Sequence, residues 1–190
     1  MTVGAGGQYA SINEALAELS RRRPAFRSGG FTAVIRLLAG FIMSEQVVVS
    51  GINLGWVQIT GVDALTIIRR NALTGVVSDR YPAFSAVNGG VMPTISQVFQ
   101  MDTTGVATNR DGILVNGPDA GVRVGGGGVR NAGEDGLHVR SGGVASVGLG
   151  DFRNAGGRGL YALSASVSAQ GVNLSGAMKG GLYAQHTAMV

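Results

Sequence analysis

The chain has 190 residues, 33 of them glycine, with 4 prolines, no cysteine, 14% charged and 45% hydrophobic side chains. Glycine well above its usual share of roughly 7%, without collagen's three-residue period and with too much apolar content for disorder, points to a folded chain that needs glycine at recurrent tight places. The lack of cysteine excludes disulfides, thiolate chemistry and cysteine-bound metal, and the length allows a real core.

The net charge is +4, but residues 1–36 carry Arg21, Arg22, Arg23, Arg27 and Arg36 against Glu14 and Glu18, so the rest of the chain is nearly balanced. A nucleic-acid binder would show a continuing basic stripe, so nucleic acid is not an expected partner. The Arg21–Arg23 cluster reads as a solvated helix end or as a docking patch for an acidic partner. No apolar run reaches membrane-spanning length, because FTAVIRLLAGFIM is broken by Arg36. The opening MTVGAGGQYA lacks the order of a signal peptide, so neither membrane insertion nor signal-directed export is expected.

In chain order, three regions follow. Residues 1–30 form an N-terminal cap. Ile12, Ala15, Leu16 and Leu19 recur with helical spacing, and Ser11 with Glu14 suggests a capping box, which predicts a short amphipathic helix over Ser11–Leu19. Pro24 and the Ser28-Gly29-Gly30 run stop it. Residues 31–110 hold β-like runs, FTAVIRLL, QVVVS, WVQIT and LTIIRR, separated by glycine turns. Within them residues 71–109, with Pro82 and Pro93, predict irregular loops carrying a few strands, and Trp56 supports the early coils.

Residues 111–190 are repetitive. DGILVNG, DGLHVRSG, RGLYALS and GGLYAQH place Gly112, Gly136, Gly159 and Gly181 at steps of 24, 23 and 22 residues. VRNAG at 129–133 returns as FRNAG at 152–156 and weakly as LSGAM at 174–178. Such a repeat, with about three short strands, fits one coil of a right-handed parallel β-helix. It lacks the leucine-rich pattern and is too short for a propeller blade. The fold class expected is therefore all-β, a right-handed parallel β-helix with a short N-terminal capping helix. Ile113, Leu137, Leu160 and Leu182 form one inward column, and Val115, Val139, Ala162 and Ala184 the next.

Several residues are candidates for more than packing. Gly112, Gly136, Gly159 and Gly181 are structural turn positions that need positive φ or close backbone approach. Asn131 and Asn154, at equivalent corners, suggest an asparagine ladder. Asp111 and Asp135 fall about 5 Å apart on successive coils with Glu134 beside them, a spacing a retaining glycoside hydrolase uses. Arg110 and Arg158 in the same columns also explain these acids as a surface charge ladder, so catalytic residues are not assigned. The outward column Leu114, His138, Tyr161, Tyr183 reads as a subunit contact, as rings for carbohydrate binding, or as ordinary cross-strand stacking. His138 and His186 are two coils apart and make no compact zinc site by themselves, so neither metal nor cofactor is expected. GVRVGGGG lacks the following lysine and hydroxyl of a phosphate loop and reads as a corner.

The opening QYASINEALAEL, the block FTAVIRLLAGFIMSEQVVVSGINLGWVQITG and the coils DGILV, DGLHV, RGLYA and GGLYA together resemble the pectate-lyase-like β-helix superfamily, in the form found in spikes of bacteriophages and gene transfer particles. The resemblance covers most of the chain and is weak over residues 71–109. It implies a spike or fibre component of a virion or phage-like particle, assembled in the bacterial cytoplasm and acting outside the cell. It also implies a homo-oligomer, with a trimer favoured, and contact with cell-surface polysaccharide. The calcium-binding aspartates and proton-abstracting base of the family's lyases find no clear match here. The ending GGLYAQHTAMV shows no visible cap, and a partner, either another subunit or another particle protein, is expected over the C-terminal coil.

Overall fold

The computed structural model describes residues 1–22, 33–186 and 189–190. The helix-stop signals at Pro24 and Ser28-Gly29-Gly30, and Arg23 of the basic cluster, lie outside the described residues. Arg21 and Arg22 both pair with Glu18 at the helix end.

The chain opens with the strand β1 (Thr2–Val3) and the helix α1 (Ile12–Ser20), then winds through short strands. The first coils are β2 (Ala33–Leu37), β3 (Ile42–Met43) and β4 (Val47–Ser50), followed by β5 (Val57–Gly61), β6 (Thr66–Ile68) and β7 (Phe84–Val87). Next come β8 (Thr94–Ile95), β9 (Val98–Met101) and β10 (Ile113–Asn116), then β11 (Gly121–Gly125), β12 (Gly128–Arg130) and β13 (Leu137–Arg140). The described coils end with β14 (Val144–Gly148), β15 (Arg158–Leu163), β16 (Ser166–Gln170) and β17 (Gly180–Gln185).

These strands stack into three parallel sheets, ordered β1-β2-β5-β8-β11-β14-β16, β17-β15-β13-β10-β7-β4 and β12-β9-β6-β3. Each early coil gives one strand to each sheet, and in the later coils a single Asp151–Asn173 bridge replaces the strand of the smallest sheet. The architecture is a parallel β-solenoid. Parallel strands need a return path, and here the other two sheets supply it.

The inward columns fall where the repeat placed them. Ile113, Leu137, Leu160 and Leu182 are in register, as are Val115, Val139, Ala162 and Ala184. Phe84 continues the first column upstream, and its ring meets Phe99 edge-on at 4.9 Å. Branched and aromatic side chains on three inner faces give one continuous core. The column is unevenly buried: Leu137 and Leu160 are fully enclosed, whereas Leu182 is 53% exposed.

Of the two reasons expected for the repeat glycines, close approach and not positive φ is the one the structure shows. Gly112, Gly136, Gly159 and Gly181 do not take positive φ; they stand where strands of the six-stranded sheet begin. A Cβ on Gly136 would fall 2.7 Å from both Gly159 O and Phe152 Cβ, and one on Gly159 would fall 2.8 Å from Leu174 Cβ. Close approach across a narrow interior, and not turn geometry, demands glycine at 112, 136 and 159, whereas a Cβ on Gly181 would come no nearer than 3.4 Å to Leu174 Cβ. Left-handed corners are instead taken by Asn131 (φ 55), Asn154 (φ 57) and Gly176 (φ 72). Asn154 Nδ2 donates to Asn131 Oδ1 at 3.3 Å, so the asparagine ladder is present.

Helix α1 begins one residue later than predicted, with Ser11 as its N-cap. The Ser11 hydroxyl accepts from Glu14 N at 3.2 Å, and the Glu14 carboxylate accepts from Ala10 N at 2.8 Å. Its buried face is Ile12, Ala15, Leu16 and Leu19. Glu45, just before β4, accepts from Ile12 N at 2.6 Å and Asn13 N at 3.1 Å, which fixes the positive helix end to the first coil. Burial pushes the Glu45 carboxyl up, and these two amides work in the opposite direction.

Residues 71–109 carry a few strands among loops, as predicted: β7, β8 and β9, in register with the rest. Short strands with polar residues between them hid the periodicity. The irregular character is confined to two insertions that lengthen these coils, between β6 and β7 and between β9 and β10. Asp102 anchors both. Its carboxylate accepts from Arg70 N at 3.0 Å, Thr104 N at 3.1 Å and Thr104 Oγ1 at 2.6 Å, with Arg69 Nη1 at 3.1 Å. Burial opposes its charged form, but these donors outweigh burial and hold its pKa at about 2.

The folded-state pKa of Asp102 is depressed, so its contribution is full above the unfolded value of 3.8 and is lost as pH falls toward about 2. Asp102→Asn is therefore expected to cost on the order of 1–2 kcal/mol at neutral pH, after allowance for solvent screening. It should also flatten the acid limb of stability between those pH values. Urea unfolding at stepped pH checks this; an acid limb identical to wild type would refute it.

Candidate functional site

The repeated Asp-Gly pairs generate the site. Gly112 N donates to Asp135 O at 2.8 Å, while Asp135 N donates to Asp111 Oδ1 at 3.1 Å. One coil on, Gly136 N donates to Arg158 O at 2.9 Å, and Arg158 N donates to Asp135 Oδ1 at 2.8 Å. Each aspartate thus clasps the next coil through one carboxylate oxygen. Arg158 occupies the aspartate position of the following repeat, and the carboxylate clasp stops there.

The outer oxygens of the two carboxylates face two guanidiniums. Arg80 Nη1 stands 3.5 Å from Asp111 Oδ1, and Arg158 Nη1 stands 3.8 Å from Asp135 Oδ1. The inner oxygens converge on His138, the second residue of β13. His138 Nδ1 lies 3.2 Å from Asp111 Oδ2 and 3.7 Å from Asp135 Oδ2. One donor atom from each of the three residues fits within a 4.8 Å cluster. Asp111 and Asp135 are 0% exposed and His138 is 1% exposed. Among the described residues, Asp135 Oδ2 and His138 Nε2 are buried with no hydrogen-bond partner. Burial pushes the Asp135 carboxyl up and the Asp111 charge adds to this, against the Arg158 amide, His138 and the Arg158 charge.

This burial overturns the surface charge ladder read from the sequence. Glu134 N donates to Arg110 O at 3.0 Å, so the two stand in register as read, but the Glu134 carboxylate pairs with Lys179 at 2.5 Å and the Arg110 guanidinium lies 4.4 Å from the Tyr81 ring centroid. The outward column is corrected too. Leu114 and His138 do lie on the outer side of their strands, in register with Tyr161 and Tyr183, yet both are covered. The cover comes from the longer insertion. Val77 and Arg80 form an antiparallel bridge around Ser78 (φ 50) and Asp79 (φ 68), a tight two-residue turn. Asn116 Nδ2 donates to Ser78 Oγ at 2.7 Å, and Arg140 holds Ser78 O and the Asp79 carboxylate. Strands β10 and β13 thereby pin the hairpin over their own outer face.

What remains outside is an aromatic and cationic ladder. The Tyr161 ring stacks on His138 with centroids 4.6 Å apart, and Tyr183 follows edge-on at 5.5 Å. The Arg158 guanidinium lies 4.3 Å from the Tyr161 centroid and 4.6 Å from that of Tyr183. Tyr183 is 41% exposed and Tyr161 half-buried. No protein-family model matches the chain, and neither does any curated protein. His186 is exposed and takes no part in this cluster.

Sequence reasoning paired the two aspartates but left His138 in a separate column. The spacing signal was present, since His138 follows Asp135 by three residues and Asp111 sits one coil away. The covering hairpin was not legible, because its partners Asn116 and Arg140 are distant in sequence.

Proposed function

We propose that the chain is a non-enzymatic structural module of a phage-like particle spike or fibre, a right-handed parallel β-helix whose first coil is capped by α1. The observation that carries the non-enzymatic part of the reading is the complete burial of Asp111 and Asp135, each engaged through Oδ1 in clasping the next coil; the spike or fibre part rests on the sequence resemblance. A glycosidase would need this carboxylate pair open to a sugar ring. The docking of α1 through Glu45 supports its role as a cap over the strand edge at β4. The Tyr161–Arg158–Tyr183 ladder is the surface offered to host polysaccharide or, in a homotrimer, to a neighbouring subunit.

Incubation with polygalacturonate and with neutral dextran, followed by calorimetric titration and a reducing-end assay, tests the proposal. The expected result is binding of polysaccharide without release of reducing ends, weakened about 2–10-fold by Tyr183→Ala. Sustained release that disappears in Asp111→Asn or Asp135→Asn would overturn it in favour of a polysaccharide-degrading enzyme. If the titration shows no binding and sedimentation gives a trimer that Tyr183→Ala dissociates, the ladder is a subunit contact within the same structural role.

A further inference from the structure

The inner side of the acid pair contains a donor set that the coil clasp does not use. Asp111 and Asp135 each use Oδ1 for the backbone of the next coil, leaving both Oδ2 atoms to face His138 Nδ1. A proton on Nδ1 serves Asp111 Oδ2 at 3.2 Å. It does not also serve Asp135 Oδ2, which at 3.7 Å is beyond hydrogen-bond reach and has no other partner. A single ion between the three atoms satisfies all of them. Separations of 3.2 and 3.7 Å suit donors that share a first-row divalent ion at about 2.0–2.2 Å.

We propose that Asp111 Oδ2, Asp135 Oδ2 and His138 Nδ1 form a three-ligand binding site for a first-row divalent cation of the Zn²⁺ type, its fourth tetrahedral position left to a non-protein ligand. Two carboxylates with one imidazole favour such an ion over Ca²⁺ or Mg²⁺, which prefer all-oxygen shells. The supporting contacts already lie on the far oxygens: Arg158 N donates to Asp135 Oδ1, Asp135 N donates to Asp111 Oδ1, and the Arg80 and Arg158 guanidiniums stand beside the same two atoms. Outer-shell partners of this kind orient ligating carboxylates. The ion would join two successive coils and lie under the Val77–Arg80 hairpin, so its role is to fasten the solenoid. The site stands whether or not the polysaccharide reading holds.

The test uses the intact chain stripped with chelator and titrated with Zn²⁺, Mn²⁺ and Ca²⁺. One Zn²⁺ per chain is expected to remain after gel filtration. At a hundredfold excess over Kd, Tm should rise by roughly 5–10 °C, with no comparable effect of Ca²⁺. His138→Gln and Asp135→Asn should abolish the retained metal and the Tm shift, while His186→Ala keeps both. Should the first two variants fail to fold, X-ray absorption of the zinc-loaded wild type provides the check, with a nitrogen and oxygen shell containing one imidazole expected. A wild-type chain that retains no Zn²⁺ and shows no Tm shift overturns the proposal. Retention that His138→Gln leaves intact, or that His186→Ala removes, overturns it equally.

Discussion

Leu137→Ala is expected to destabilise the protein by about 2–5 kcal/mol, the range for removing a fully enclosed leucine whose surroundings relax only in part. Leu137 is 0% exposed and lies between Ile113 and Leu160 in the inward column of the six-stranded sheet. The solenoid has no second layer to collapse into the space, because each inner face meets only the other two sheets and each coil only its neighbours. Leu182 supplies the control. It occupies the same column one coil beyond Leu160, but it is 53% exposed, so Leu182→Ala should cost much less, below about 1 kcal/mol. Urea unfolding of the two variants measures the difference. Equal losses would mean that stability does not follow coil-by-coil burial.

The second large effect concerns Asp111. Its removal takes away the acceptor of Asp135 N, the partner of His138 Nδ1 and the counter-charge of Arg80, a residue whose Nε and Nη1 are already buried without hydrogen bonds. Breaking one side of a buried charged network generally costs about 3–5 kcal/mol, because the remaining charge stays desolvated. Asp111→Ala should therefore fall in that range. Asp111→Asn, which keeps an oxygen for Asp135 N, should lose less. If alanine and asparagine cost the same, the coil clasp contributes nothing.

The parts of the fold that were legible in the sequence were those governed by local periodicity. Steps of 24, 23 and 22 residues gave the register of the last coils because each coil there contains only strands and corners. Asn131 and Asn154 were readable as a ladder because they recur within the same motif. The coil containing β7, β8 and β9 was obscured by the insertions on either side, which shift the repeat without leaving a pattern of their own. The same insertions account for the misread site. From the strands alone, Leu114 and His138 face outward and belong at the surface; the Ser78–Asp79 turn, held by Asn116 and Arg140, turns that surface into an interior. Once covered, two aspartates that looked like a surface ladder became a buried network with an unpaired oxygen.

Amide hydrogen exchange at Asp135 and Arg158 tests most directly whether the aspartates act as coil clasps. In the wild-type chain both amides should be protected to the level of the core strands. Asp111→Ala should release Asp135 N first, and Asp135→Ala should release Arg158 N, each one coil on from the substitution. Rapid exchange of both amides in the wild-type chain would contradict the clasp and return the two carboxylates to a role in chemistry.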